Sequence, residues 1–503
     1  MSDHSEYRGS HPERDRQGDY AFDPSEEFIG LGGRRVSRRR ALATGGALLG
    51  AAAAGPLIFT KVDAEGLLKS YLKTNLPYRA NTSVKGHVVL WHHYGSPIRH
   101  NGIIQAINLF KKIYKGVSVS DVGFGFAADW TEMKTRIAAG SGIPDVVVSD
   151  RPKLYYDGAR HHFYQDVSDL VKRDGLKMSA FWPFVQRDSI INKKIYGLGW
   201  ETDCRTLYHL RATFIDAGLK PDVSPKTWND LKRLADQLDG KGSSLNGYNT
   251  YGGKVVTFDP IQGYDYISWS WTNKGDAISP KGKPQFNSAR EIDTANWVKG
   301  WLDRYGGFST DQSISAHSQG SQASNPMTTK NTIFWVDTPT NEAVWLFYDL
   351  RFYTKDGKRI NPFYSAALLP VNTGGKPYNL TGGFDLSMPR KKESAAQRNA
   401  TWEFMKFMSL VGQQYFAQQV LAIPSVQRMA QTNSILKSFP NYSTFLKAMP
   451  WGKPNYHTND PSLESDVASS DVVNAMWRGD KSVKDTLNAM QQNALTLESK
   501  PGQ

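Results

Sequence analysis

Beyond its first 83 residues, the chain alternates short runs rich in β-branched residues with amphipathic segments, and this alternation constrains the fold more than any other feature. The runs at 87–91, 117–122 and 144–148 are predicted to be strands, and the segments 101–114 and 130–139 to be helices. Strands that alternate with helices over short connections form a parallel sheet with helices on its faces. The predicted fold class is therefore α/β.

The second half continues this pattern with longer connections. Gly197–Leu207 is predicted as one strand, and Thr227 is predicted to cap a helix that runs through Leu238. The polar stretch 306–330 is expected to be an extended loop, followed by a strand at 332–336 and a long helix at 391–411. A chain of 503 residues is long enough for roughly two to four domains.

The first 64 residues have a different composition from the rest. Residues 1–36 are polar and lack periodicity, so they are predicted to be a disordered leader. Arg38, Arg39 and Arg40 precede an uncharged run at 41–60, and this layout indicates an export signal of the twin-arginine type over 37–64. A linker is expected at 65–83. The alternative is that 41–60 stays attached as a membrane anchor.

Charge and cysteine content exclude several classes of function. The net charge of +13 is spread over scattered Lys and Arg side chains, without a nucleic-acid-binding motif, so no nucleic-acid partner is predicted. The single cysteine, Cys204, excludes an internal disulfide framework and is expected to be a small buried residue. His92 and His93 are one adjacent pair, which argues against a preformed metal site. No metal or other cofactor is predicted.

Four segments, in this order along 84–499, resemble the extracellular solute-binding protein family 1 of ATP-binding cassette importers. They are Val88–Tyr94, Ala138–Val147, the stretch from Lys194 through Leu231, and the stretch from Leu369 through Ser425 with Gly382-Gly383-Phe384 and Trp402-Glu403-Phe404. Two stretches depart from the family pattern, Tyr208–Arg211 and Thr272–Asp276, and both flank the expected ligand face of the second lobe.

The resemblance implies a two-lobed periplasmic-binding-protein fold of type II-like architecture, in which each lobe is a mainly parallel sheet flanked by helices. Crossing hinge strands are expected near 200–206, 332–337 and 388–392. The expected lobes are 84–202 with 333–390, and 203–332 with 391–499. The implied protein is an exported monomer, at the periplasmic or extracellular face of the membrane, that closes around a small ligand and delivers it to an importer permease.

Ligands of such sheets bind beyond the carboxyl ends of the strands. Flat rings there cover the apolar faces of a sugar, and carboxylates bind its hydroxyls, so the candidates favour a mono- or oligosaccharide. The candidate ligand-binding residues are His92, His93, Tyr94, Asp150, Trp200, Glu201, Asp203, Trp335, Asp337, Gly383, Phe384 and Asp385.

Three alternatives stay open. Glycerol phosphate esters would suit the basic charge, polyamines would suit the candidate carboxylates, and an attached leader would suit a membrane-anchored ligand sensor. Glycoside hydrolysis by Glu201 and Asp203 would need an acid/base asymmetry that the sequence does not indicate, so no enzymatic activity is predicted.

Overall fold

The computed structural model describes residues 27–29, 35–37, 80–95, 97–124, 128–151, 161–245, 247–261, 266–279, 283–317, 325–347, 354–358, 360, 362–454 and 471–498. The chain divides into two compact units, Met1–Gly46 and Ala47–Gln503. In the first unit, Glu27–Ile29 and Arg35–Ser37 pair as an antiparallel hairpin, which the leader's polar sequence did not predict. The rest of the predicted leader, the export signal after Ser37 and the linker up to residue 79 lie outside the described residues.

The elements are numbered in chain order. The strands are β1 (Glu27–Ile29), β2 (Arg35–Ser37), β3 (Gly86–His92), β4 (Val117–Gly123), β5 (Val146–Asp150), β6 (Ile190–Ile191), β7 (Lys194–Ile195), β8 (Leu198–Thr202), β9 (Thr206–Leu210), β10 (Val256–Phe258), β11 (Thr332–Asp337), β12 (Tyr364–Ala367), β13 (Asn379–Leu380), β14 (Gly383–Ser387), β15 (Ile423–Pro424) and β16 (Gly452–Lys453).

The α-helices are α1 (Pro97–Ile113), α2 (Ala128–Ala139), α3 (Ser168–Asp174), α4 (Pro183–Ser189), α5 (Arg211–Asp216), α6 (Trp228–Leu238), α7 (Tyr266–Thr272), α8 (Ala289–Arg304), α9 (Phe308–His317), α10 (Pro339–Phe347), α11 (Ala395–Phe407), α12 (Gln413–Val420), α13 (Gln427–Thr432), α14 (Ser434–Lys437), α15 (Tyr442–Ala448), α16 (Asp471–Arg478) and α17 (Val483–Glu498). Short 3-10 turns lie at Met178–Ala180, Asp239–Ser244 and Met449–Trp451, and a π-helical turn at Met408–Gly412 joins α11 to α12. None of the helices among the described residues is both long and apolar enough to cross a bilayer.

The larger sheet has six strands in the order β15-β8-β14-β5-β3-β4. Strands β4, β3, β5 and β8 run in one direction, and β14 and β15 run against them. Both faces of the sheet are covered, because Val88 and Leu90 of β3 belong to one hydrophobic cluster and Trp91 belongs to another. This explains the uninterrupted apolar run in the sequence, since a strand buried on both faces does not alternate with polar residues.

The smaller sheet has four strands in the order β10-β11-β9-β12. Strands β10 and β11 are parallel, and β9 lies antiparallel between β11 and β12. Helix α6 packs beside this sheet and starts with a reciprocal capping box, in which Thr227 accepts from the Asp230 amide and Asp230 accepts from the Thr227 amide. The predicted cap is therefore confirmed.

Three predictions about the path of the chain need correction. The predicted strand Gly197–Leu207 is two strands, β8 and β9, which lie in different sheets and are separated by Asp203–Arg205. The third crossing expected at 388–392 is wrong. The chain returns to the larger sheet between β12 and β14, and α11 then packs on β3 of that same sheet. The loop expected over 306–330 contains helix α9.

Candidate functional site

The parallel strands of the larger sheet bring most candidates to one edge. Strands β3, β4, β5 and β8 run in the same direction, so their carboxyl ends meet there, and the antiparallel β14 begins at the same edge. In the register of the sheet Phe384 lies opposite both Asp150 and Glu201. The stretches His92–Tyr94, Trp200–Glu201 and Gly383–Phe384, which are far apart in sequence, therefore converge as the strand pattern predicted.

A buried line of hydrogen bonds connects three of these candidates. The Trp200 indole Nε1 donates to the Tyr94 hydroxyl at 2.9 Å, and that hydroxyl donates to Glu201 Oε1 at 3.0 Å. Trp200 is 0% and Tyr94 1% exposed, and the Trp200 ring also packs 5.0 Å from that of Phe416. Trp200 thus holds Tyr94 in place from the protein interior.

Glu201 is the most perturbed carboxyl at this edge. Burial raises its pKa to about 7, while the charges of Arg99 and Arg151 and the Tyr94 hydrogen bond oppose the rise and Asp203 adds to it. Its second oxygen, Oε2, is buried and accepts no hydrogen bond from any described residue. A buried acceptor without a donor is costly, which makes this oxygen a natural acceptor for a ligand hydroxyl.

Aromatic rings lie next to this carboxyl. The Phe384 side chain is partly exposed, and its ring centroid lies 4.1 Å from that of His93 and 6.4 Å from that of Tyr94. The His93 and Tyr94 centroids are 4.6 Å apart. His92 is fully buried, and burial lowers its pKa to about 4, so its imidazole is neutral at physiological pH. The edge thus combines a flat, partly exposed ring with a buried carboxylate.

Arg151, which the sequence analysis did not select, organises the backbone of this edge. The residue is 1% exposed and its guanidinium donates to six acceptors. They are Asp385 Oδ1 (2.7 Å), Thr202 Oγ1 (3.2 Å), the carbonyl oxygens of Gly382 (2.5 Å), Phe384 (3.2 Å) and Glu201, and Ser425 Oγ (3.0 Å). Its only sequence signal is its position directly after Asp150 at the end of β5.

Two candidates on β14 have structural partners that account for their identity. Asp385 is 0% exposed, pairs with Arg151 and accepts a hydrogen bond from Ser189, and burial raises its pKa against the effect of Arg151. Gly383 has a φ of +113°, and a Cβ there would collide with the Glu201 carbonyl oxygen and lie 2.6 Å from Arg151 Nη1. Close backbone packing therefore requires glycine at this position.

The smaller sheet presents its own candidates at the crossing. Strand β11 ends at Asp337, which lies opposite Thr206 at the start of β9. The Trp335 indole donates to Asp337 Oδ2 at 2.7 Å, while Asp337 Oδ1 accepts from the Asn341 side chain at 2.6 Å. Both Trp335 and Asp337 are partly exposed at this end of the sheet. They lie at the edge that connects to the larger sheet.

Further polar contacts lie between the two sheets. Asp203 lies in the crossing segment, where it pairs with Arg205 at 2.7 Å and accepts from the Gly382 amide at 2.8 Å. Arg99 on α1 donates to Asn341 Oδ1 on α10 at 3.0 Å. Sequence reasoning missed Arg99 and Asn341, because only the fold brings these residues, 242 positions apart, together.

One open cleft lies apart from this edge. It has a volume of about 520 Å³, lies between α6 and α8, and is lined by Trp228, Trp297 and Trp301 with polar residues at its rim. The Trp228 and Trp297 rings stack on each other at 4.0 Å. None of the predicted ligand-binding residues lines it. The strand-end edge, with its buried carboxyl and converging strands, therefore has the stronger claim to be the ligand site.

The chain is similar in sequence and in fold to known solute-binding proteins. Residues 97–415 match the family described as bacterial extracellular solute-binding protein. A probable ABC transporter-binding protein of Deinococcus radiodurans is 20% identical over 343 residues, which cover 67% of this chain and 73% of the relative. Among solved structures, CpMnBP1 with mannotriose bound has a TM-score of 0.65 at 19% identity, covering 82% of this chain and all of that one. Maltose-bound MalE3 of T. maritima has a TM-score of 0.64 at 15% identity, over 82% and 99% of the two chains. The predicted two-lobed α/β fold is thereby confirmed.

Proposed function

The chain belongs to the bacterial extracellular solute-binding proteins, and we propose that its solute is a mono- or oligosaccharide bound between the two sheets. Solute capture is the function of this family. The observation that supports a sugar is the strand-end edge, where the partly exposed Phe384 of β14 lies opposite Glu201 of β8 in the sheet, and Glu201 Oε2 is buried without a donor among the described residues. A sugar offers an apolar ring face to the first and a hydroxyl donor to the second.

The ligand would be held from both sides. On the larger sheet, the residues proposed to contact the ligand are His93, Asp150, Glu201 and Phe384. Tyr94 and Trp200 would support them from the protein interior through the hydrogen bonds to Glu201 and Tyr94. On the smaller sheet, the residues proposed to contact the ligand are Trp335 and Asp337, and Arg99 joins the two sets of residues by its bond to Asn341 on α10. The two lobes would close only when both sets of residues contact the ligand. Each polar group of the sugar that becomes buried then has a hydrogen-bond partner.

We take the two sheets as the lobes, with bounds that differ from those expected from the sequence. Lobe 1 comprises 84–202 and 383–424, because β14, α11 and β15 belong to or pack on the larger sheet. Lobe 2 comprises 206–367 and 471–498, because β9 to β12 form the smaller sheet and α17 packs against α8. The hinge then includes Asp203–Arg205.

The finer parts of the function are part of the same proposal. The protein works outside the cytoplasm, is exported by its arginine-containing leader, and acts as a monomer that passes its ligand to the permease of an ATP-binding cassette importer. It has no catalytic role. Incubation with mannan- and maltodextrin-type oligosaccharides should leave them uncleaved, and release of shorter sugars would overturn that part.

A thermal-unfolding screen tests the sugar itself. Mono- and oligosaccharides, glycerol phosphate esters and polyamines are added separately, and a ligand at 100 times its dissociation constant adds about 2.7 kcal/mol to the free energy of unfolding. A shift with sugars only is expected. A shift with phosphate esters or polyamines alone would refute the proposal and identify the ligand class instead.

Matched variants locate the site. Phe384→Leu should abolish the sugar-induced shift, because it removes the partly exposed ring at the strand-end edge. Phe308→Leu is the control, since the partly exposed Phe308 packs against the cluster between α8 and α17, which contains none of the candidate ligand-binding residues. Equal loss in both variants would contradict the assigned site.

A further inference from the structure

A second group of polar side chains lies at the outer end of the same sheet edge. His92 ends β3, Asp121 lies on the neighbouring β4, and His100 lies on α1. Nε2 of His92 is 3.4 Å and Nε2 of His100 is 3.1 Å from the same oxygen, Asp121 Oδ2. One ligand atom from each of the three residues lies within 4.8 Å of the other two. The sequence pairs His92 with His93, but the fold pairs it with His100.

These separations fit ligands around one metal ion. Zn–N and Zn–O bonds of about 2.0–2.2 Å in a tetrahedral site put neighbouring ligand atoms roughly 3.3 Å apart. The two nitrogen–oxygen distances in the structure, 3.4 and 3.1 Å, lie on either side of that value.

The surroundings suit a cation with free coordination positions. His92 is completely buried, which favours its neutral imidazole, the form that binds metal. The side chains of Asp121 and His100 are 23% and 49% exposed, so an ion can enter from solvent and keep a water ligand. The side chain of His100 is exposed, so it can also move towards His92 until both imidazole nitrogens reach the same ion.

One hydrogen bond at His92 opposes metal binding and lowers the expected affinity. The Tyr94 amide donates to His92 Nδ1 at 3.2 Å, which places the imidazole proton on Nε2 in the free protein. A metal on Nε2 would move that proton to Nδ1 and remove this single hydrogen bond. The affinity should therefore be lower than that of a site whose histidine tautomer is already correct.

We propose that His92, His100 and Asp121 form a binding site for a divalent transition metal, with Zn²⁺ as the best match to two imidazoles and one carboxylate. The ion would tie the end of β3 to β4 and to α1. The proposal does not depend on the sugar, because neither Glu201 nor Phe384, on which the sugar proposal rests, is among its three ligands.

Calorimetric titration of chelator-treated, full-length protein with ZnCl₂ tests the site, and Co²⁺ gives a spectroscopic readout. Wild type should bind one equivalent, and Co²⁺ should give visible absorption bands of a low-symmetry, nitrogen- and oxygen-ligated ion. His100→Gln and Asp121→Asn should each weaken Zn²⁺ binding by about 100-fold or more, since even outer partners of metal ligands contribute 10- to 100-fold.

His87→Gln is the matched control. His87 is an exposed histidine on the same strand whose ring contacts Ser118 and Ser120 outside the cluster. This variant should bind Zn²⁺ like wild type. Circular dichroism checks that each variant is folded, and His100 is exposed enough for its replacement to leave the core intact. Absence of binding to wild type, or undiminished binding to both cluster variants, would overturn the proposal.

Discussion

Replacement of Arg151 by methionine tests whether one buried cation holds the strand-end edge together. Met keeps much of the volume and removes the charge and all six hydrogen bonds. Asp385, 0% exposed, is then left without its cation. Breaking a buried pair from one side costs about 3–5 kcal/mol. Since a folded protein has a total free energy of unfolding of about 5–15 kcal/mol, the loss is a large fraction of it.

The assay is equilibrium unfolding in urea, with Arg398→Met as the control. Arg398 also binds an aspartate, Asp169, through two hydrogen bonds of 2.8 and 3.0 Å, but that pair is 28% and 62% exposed. Exposed pairs contribute about 0–1 kcal/mol, so the control should unfold almost like wild type. The difference between the two variants isolates the effect of burial.

Two further results would check the physical reason. The double variant Arg151→Met with Asp385→Asn should be more stable than Arg151→Met alone, because it removes the orphaned charge. The loss in Arg151→Met should also be smaller at pH 5 than at pH 8, because burial raises the pKa of Asp385 and protonation neutralises it. A loss below about 1 kcal/mol, or strictly additive effects, would refute the reasoning.

Two other substitutions follow from the same edge. Gly383→Ala should lower the free energy of unfolding by about 1–3 kcal/mol in urea, because a side chain at a φ of +113° collides with the Glu201 carbonyl. Gly300→Ala on α8, where a Cβ meets nothing within 4 Å, should instead be neutral or stabilising, and equal losses would contradict the steric account. In Glu201→Gln, stability should fall less than in wild type as the pH rises from 4.5 through 7. Burial raises the folded-state pKa of Glu201 to about 7, so wild type loses up to about 3 kcal/mol of its free energy of unfolding as this carboxyl becomes charged. Gln cannot be charged, so curves of stability against pH that are parallel for the variant and wild type would disprove this.

The sequence predicted the elements whose patterns are strong and local. β3, β4 and β5 were predicted within two residues, because long β-branched runs have one stable arrangement in a covered sheet. Helix α9 was missed, since Ser, Thr and Gln dominate Phe308–His317 and give almost no amphipathic pattern. The break between β8 and β9 was missed because polar residues occur inside both strands, at Glu201 and His209, and no Gly or Pro marks Asp203–Arg205 as a turn.

The sequence could predict those site residues that lie at the carboxyl ends of the strands, but not the contacts between distant side chains. Tyr94, Glu201 and Phe384 converge because the carboxyl ends of parallel strands share an edge, which a sequence can indicate. The pairing of Asp385 with Arg151 spans 234 positions and could not be read from spacing. Asp385 therefore looked like a ligand carboxylate although it lies in a buried ion pair.

The position of β14 in the larger sheet also governs the order in which the protein can be assembled. This strand lies between β5 and β8, yet the whole smaller sheet is synthesised before it. Until residue 387 has been made, β5 and β8 each keep an open hydrogen-bonding edge, and such edges are prone to pair with other chains. A nascent or truncated chain that ends before β14 is therefore an aggregation hazard. Because β15 covers the other edge of β8, productive folding of this lobe must wait until more than four fifths of the polypeptide is available, as sheets with distant pairings generally require.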